Sequence, residues 1–222
     1  MSKLLSDQIS IIGSNARCIF DIGSHTGATT LEYLDHFPEA RLLALEPEPS
    51  NFDTVCRTLA PYYERVDVLD IALGQSDGRT VFHVNSHNGT HSLLPIGDIS
   101  YWAAPEKEVA KIEVKMRSLD SIAAERNIDL IDIVKMDIQG GELLALKGAT
   151  ELLSKASISA LVLEVEFKPL YDGQPMFWDI CAYLQNFGYS FYNLYEPFYH
   201  PRNERTLCWS DAIFLSPRLC QI

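Results

Sequence analysis

CIFDIGSHTGATT, residues 18–30, carries an apolar run into an acid at Asp21 and then sets Gly23 and Gly27 in the turn that follows. Glycine loses the most conformational freedom on folding and packs no side chain, so two in one turn need a cause. Either the turn is tight, or a ligand lies against its backbone. The run itself, RCIFDI (17–22), reads as a buried strand, and 28–37 as a helix ending before Pro38. The alternation continues along the chain. RLLALE (41–46), RVDVLDIAL (65–73), LIDIVKMD (130–137) and SALVLEVEF (159–167) are apolar enough for strands buried on both faces. Helical stretches separate them, one opening at 47–50 and others near 119–126, 141–154 and 177–187, with Ser50 as N-cap of the first and Asp53 three residues on. Two strands close the chain, YSFYNLY (189–195) and CWSDAIFL (208–215). This pattern predicts an α/β fold with a doubly wound, mostly parallel sheet and helices on both faces.

RTVFHVN (79–85) follows the turn signal Asp77-Gly78, and EVAKIEVKM (108–116) alternates apolar with polar residues, so the two predict an inserted β-hairpin. The polar stretch between them, 85–107, is long for a compact domain and reads as a lid or acceptor loop. No repeat or linker divides the 222 residues, which are read as one domain with an N-terminal extension over 1–15.

A formal charge of −12 with no basic run argues against nucleic-acid and anionic-membrane partners. The five cysteines are odd in number and widely spaced, which fits reduced thiols and a cytoplasmic protein rather than a disulfide frame or zinc site. The first residues, MSKLLSDQISIIG, are too polar for a signal peptide or membrane span.

In such sheets ligands bind beyond the carboxyl ends of the strands. Asp21 ends the first strand, and Glu46 ends the second, 25 residues later, where an acid can accept ribose hydroxyls. The turn is DxGxxxG rather than the GxGxxG of dinucleotide sites. An acid there repels a pyrophosphate but suits a cationic nucleoside such as S-adenosylmethionine (SAM), which bears an ammonium and a sulfonium. The candidate cofactor contacts are Asp21, the turn residues Gly23, Ser24, His25, Thr26 and Gly27, then Glu46 and Pro47, and at the third strand's end Asp70, Ile71 and Ala72.

With DIGSHTGATT, LEPEPSNF and KMDIQGGELLALKGA in place, the chain resembles the FkbM family of SAM-dependent methyltransferases over residues 16–167. The resemblance implies a Rossmann-like class I methyltransferase fold with seven strands and methyl transfer to a hydroxyl, often on a sugar or natural product. Two positions depart from the family pattern. His25 stands where asparagine is usual, and Gln139 where glutamate is frequent, which removes a carboxylate from any metal or base role there. No metal is expected.

A hydroxyl nucleophile must be aligned and must lose its proton. Asp137, at the fourth strand's tip, is the first candidate to hold the cofactor ammonium, orient the acceptor or take its proton; alternatively it caps the next helix. Glu142, in that helix's first turn, suits the dipole as well as catalysis. Glu164 and Glu166 share one face of the fifth strand, and Glu164 is the second candidate, with an ion pair as its alternative. His91 is a candidate base; the set His83, His87 and His91 would need a helix to bind metal, and Gly89 opposes one. Tyr192, Tyr195, Phe198 and Tyr199 line an acceptor pocket or pack in the core, with 197–205 a loop. The rival functions are an NAD-linked oxidoreductase and a SAM-binding module without turnover. The acceptor's identity is not encoded.

Overall fold

The computed structural model describes residues 1–97, 106–200 and 203–220. In chain order the elements are α1 (Lys3–Ile12), β1 (Cys18–Ile22), α2 (Ala28–His36), β2 (Arg41–Leu45), α3 (Pro49–Leu59), β3 (Val66–Leu69), β4 (Ile71–Leu73), β5 (Gly78–Asn85), β6 (Glu108–Arg117), α4 (Leu119–Arg126), β7 (Ile131–Met136), α5 (Glu142–Lys147), α6 (Thr150–Ser154), β8 (Ile158–Glu166), α7 (Phe177–Gln185), β9 (Ser190–His200) and β10 (Asn203–Leu215). Seven strands form one sheet in the order β3-β2-β1-β7-β8-β10-β9. Only β10 runs against its neighbours. The order reverses between β1 and β7, and that switch point opens a crevice at the strand tips.

Strand side chains alternate, so each central strand feeds two cores. Phe20, Ile22, Val134, Met136, Leu161 and Leu163 face α4 to α7. Ile19, Ile133, Ala160 and Val162 face the other way, onto Leu5 of α1, Tyr33 and Leu34 of α2 and Val55 of α3. Burial on both faces is why these runs read as continuously apolar.

The predicted hairpin is present as β5 and β6, and β4 joins it in a second sheet of order β4-β6-β5. The run 65–73, expected as one strand, therefore breaks at Asp70, whose side chain turns outward to Lys115 at 2.8 Å. The helix expected over 141–154 is two, parted at Gly148, where a Cβ would lie 2.1 Å from the carbonyl oxygen of Gly74. Glu48 rather than Ser50 caps α3, its carboxylate accepting from the Asn51 N–H at 2.8 Å. Residues 197–200, expected in a loop, extend β9, and α1 forms within the expected extension. Among the described residues no helix is long and apolar enough to cross a membrane.

Candidate active site

Both glycines of the opening motif now have causes. Gly23 has φ +80°, and a Cβ on it would lie 2.0 Å from the Asp137 carbonyl oxygen. The β1 turn thus passes backbone to backbone over the tip of β7. Gly27 has φ +83° at the start of α2, and a Cβ there would press on Thr58 and Leu59 of α3. The turn is further tied to β2, since the N–H groups of Gly23 and Ser24 both donate to the Leu45 carbonyl at 3.0 Å. The Ser24 hydroxyl donates to that same carbonyl.

A cavity opens at the switch point. Its floor is Ile22, Gly23 and Asp137, one wall carries His25, Glu46 and Pro47, and the other carries Ile71, Ala72 and Phe82. His91 and Gln139 also reach it. The second sheet packs Ala72, Phe82 and Val114 together and so makes the apolar wall. The near half of the 85–107 stretch is anchored beside it. His83 and Ser92 exchange backbone hydrogen bonds, and the Ser92 hydroxyl donates to the Gln139 carbonyl at 2.7 Å. The 98–105 part of the expected lid lies outside the described residues.

Each expected residue has a definite place. Glu46 is buried, and its carboxylate accepts the His25 N–H at 2.9 Å and the Glu48 N–H at 3.0 Å. Burial raises its pKa to about 7, against the pull of those amides. Asp137 borders the cavity with 37 % of its side chain accessible, and Lys135 Nζ stands 3.4 Å away. Burial opposes its charge, but Lys135 and hydrogen bonds with Gln139 and Glu164 outweigh it and hold the carboxyl below its ordinary value. Glu164 lies beside Asp137, and burial, then repulsion from Asp137, raises it strongly. Glu142 is buried and accepts the Ile138 N–H at 2.9 Å; burial raises it to about 7. It serves the turn rather than the cavity.

Several expectations are corrected. Thr26 and Gly27 do not line the cavity, and Gly27 packs on α3 instead. Asp21 does not border the cavity. Its parity in β1 turns it to the α2 face, where it is fully buried and accepts from Thr30 Oγ1 at 2.5 Å. Ser24 is buried against β2 instead of facing a ligand. Asp70 is held outside by Lys115, while Ile71 and Ala72 remain in the wall. His91 reaches the cavity, but its Nδ1 accepts the Asn85 N–H at 3.1 Å. The neutral ring then carries its proton on Nε2, and burial lowers its pKa. That makes it a donor rather than a base. The other two histidines have different partners: His83 contacts Glu108 at 2.5 Å and His87 Nδ1 accepts from Gly89 N–H. Among the described residues no three His, Cys, Asp or Glu side chains are grouped to hold a metal ion. In the aromatic tail, Tyr195 donates to Asp7 of α1 at 2.6 Å and Phe198 stacks on Trp209, so both serve packing.

The profile of the methyltransferase FkbM domain matches residues 21–191. The chain belongs to the FkbM methyltransferase family. Among curated proteins it is 26 % identical to 2-O-methyltransferase NoeI of Sinorhizobium fredii, over 75 % of this chain and 70 % of that one. It is 26 % identical to hexuronic acid methyltransferase AglP of Haloferax volcanii, over 66 % of this chain and 55 % of AglP, so the match spans about half of that relative. The fold recurs in M. capricolum TrmK bound to S-adenosyl-homocysteine, with TM-score 0.53, 9 % identity, and 98 % and 69 % of the two chains covered. It recurs also in a precorrin-6y C5,15-methyltransferase of Geobacter metallireducens, at TM-score 0.52, 11 % identity, and 95 % and 86 % coverage. SAM is the cofactor that membership of this methyltransferase family implies.

The residues present fit it. Cationic and hydroxylated parts find Asp137 and Glu46, and an aromatic base finds the apolar wall. His25 Nε2 is buried without a hydrogen-bond partner among the described residues, a polar atom for a ligand to satisfy. Gln139 and Tyr171 contribute to this edge as well, and neither was expected as a site residue. The signal for Gln139 was its departure from the family pattern; Tyr171 follows β8 in a stretch with no motif.

Proposed function

We propose that this FkbM chain, acting as a single catalytic domain, O-methylates a hydroxyl of a sugar or similar polyhydroxylated small molecule. The observation that carries the reading is Asp137, a charged and accessible carboxylate at the switch-point tip. The name of AglP supports a sugar acceptor, and that of NoeI supports transfer to oxygen. When bound, SAM supplies a methyl group on a sulfonium, which an acceptor oxygen can displace with a neutral thioether leaving. The chain's task is then alignment and proton acceptance.

Glu46 would hold the ribose hydroxyls, since each of its oxygens retains a lone pair beyond its amide partner. The glycine turn, His25 and Pro47 would shape the ledge beside it, and Ile71 and Ala72 would flank the adenine. Asp137 would orient the methionine ammonium or the acceptor hydroxyl and take the latter's proton. Glu164 stands behind it, and His91 would donate from Nε2. A screen of neutral sugars, uronic acids and natural-product alcohols, followed by S-adenosylhomocysteine release, tests the proposal. A hydroxylated acceptor should raise release well above the water background, and Asp137→Ala should lower turnover about 100-fold or more. Full turnover in that variant with unchanged SAM affinity, or no acceptor in any of these classes, overturns it.

A further inference from the structure

Where the family often has glutamate, this chain has an amide whose every polar atom is engaged. Gln139 Nε2 donates to Asp137 Oδ1 and to Glu164 Oε2, both at 2.8 Å. Its Oε1 faces the Tyr171 hydroxyl at 2.9 Å. Its backbone carbonyl accepts from Ser92, and its φ of +55° is one that side-chain-bearing residues adopt at a cost. Tyr171 is itself set in place. It is 3 % exposed, and Gln174 Oε1 accepts from the Leu170 and Tyr171 N–H groups at 2.6 and 3.1 Å. The Tyr171 hydroxyl can also turn to the Thr90 carbonyl, 2.8 Å away.

When the Tyr171 hydroxyl gives its proton to Oε1 rather than to the Thr90 carbonyl, it holds the amide with its NH2 group toward the acids. Flipped, Oε1 would meet two carboxyls. Held as observed, one NH2 group grips both acids and brings them side by side. Two carboxyls so close do not both ionise, and they titrate as a pair. Lys135 breaks the symmetry, because it contacts Asp137. The other titratable groups around the pair are Asp21 on β1, Glu166 on β8, Asp211 on β10 and Glu142 on α5, acids that favour keeping the proton wherever they are themselves ionised.

We propose that Gln139, fixed by Tyr171, is a positioning residue that makes Asp137 and Glu164 a one-proton pair with the negative charge on Asp137 at the cavity wall. The proposal rests on the reading of this edge as the acceptor side. It gives the chain a charged proton acceptor with a neutral acid in reserve, without a third carboxylate.

The test needs no acceptor. The full chain, labelled with carbon-13 at Asp and Glu side-chain carboxyls, is titrated by NMR, and the two signals are assigned by their loss in Asp137→Asn and Glu164→Gln. The native chain should show two separated steps shared by both signals. Tyr171→Phe should raise the lower step by about half a unit to one unit, and Gln139→Met by more, because a hydrogen bond to the charged form is lost. A native-like circular dichroism spectrum and a single cooperative thermal transition mark each variant as folded, and Gln139→Met serves if Tyr171→Phe does not fold. Independent titration of the two carboxyls, or a lower step unmoved in the folded variants, overturns the proposal. A failed acceptor screen would leave these titrations untouched, so the two failures are distinguishable.

Discussion

Gly23 and Glu46 show how one residue can be placed by the fold and used by the chemistry. Gly23 is forced by two independent constraints, a left-handed φ and the Asp137 carbonyl 2.0 Å from where a Cβ would sit. Gly23→Ala should therefore cost at least about 2 kcal/mol in urea unfolding, whereas a turn that merely accommodates a ligand would lose affinity and keep its stability. Glu46 is a different case. Its carboxyl is raised to about 7 by burial, so it ionises within the ordinary working range. The ionised form is the better acceptor for ribose hydroxyls. S-adenosylhomocysteine should bind more tightly at pH 8 than at pH 6, by calorimetry, and Glu46→Gln should flatten that slope and weaken binding about tenfold or more at pH 8. Equal affinity at both pH values in the native chain would remove Glu46 from the ribose site. In the sequence, both positions stand out by type and spacing. Asp21 stands out as clearly and turns away, because a one-residue parity decides which face a strand side chain takes, and the motif does not carry the parity.

At the scale of elements, the chain is legible where order is local and opaque where a distant partner intervenes. The central strands β1, β2, β7 and β8 follow from apolar runs bounded by acids and glycines, and the β5–β6 hairpin from its turn and alternation. The break between α5 and α6 falls at Gly148, which packs on Gly74, a residue far away in sequence that leaves no local signal. Gly148→Ala would drive a Cβ to 2.1 Å from the Gly74 carbonyl oxygen. It should lower stability by about 2 kcal/mol or more in chemical denaturation. A native-like midpoint would show that α5 and α6 join without needing that close approach. The β3–β4 break has the same character. Asp70 looked like an adenine ligand because it ends an apolar run, but Lys115 on β6 takes it out of the site. The sequence contains both residues and no sign of their pairing. The cavity at the strand tips was accordingly legible as a place, while the edge built from Gln139, Tyr171 and Ser92 across three separate segments was not.

Across the whole molecule, the site imposes a pH signature on stability. Burial raises Glu46 and Glu142 to about 7, Asp211 to about 6 and Glu166 to about 9, whereas in the unfolded chain these groups titrate near about 4. Between those limits the native state holds protons that the unfolded state has released, so stability falls as pH rises. Asp137, Asp7, Asp77, Glu48 and Glu108 act in the opposite sense. Their carboxyls are held below their ordinary values, so their contribution is present above about pH 4 and is lost on acidification through their native values. The raised set is the more buried and therefore less screened, and the formal charge of −12 adds repulsion as the pH climbs. Together these place the crest of stability near about pH 5, below the neutral range common for soluble proteins. A thermal melt of the ligand-free chain at fixed ionic strength should show Tm falling steadily from pH 5.5 to 8, roughly the span of those native values. Saturating S-adenosylhomocysteine should recover more of the loss at pH 8 than at pH 6, because binding then recruits the ionised Glu46. A Tm that stays level or climbs toward pH 8 would mean that these acids are as free to ionise in the folded chain as in water, and the electrostatic account of the cavity would fail with it.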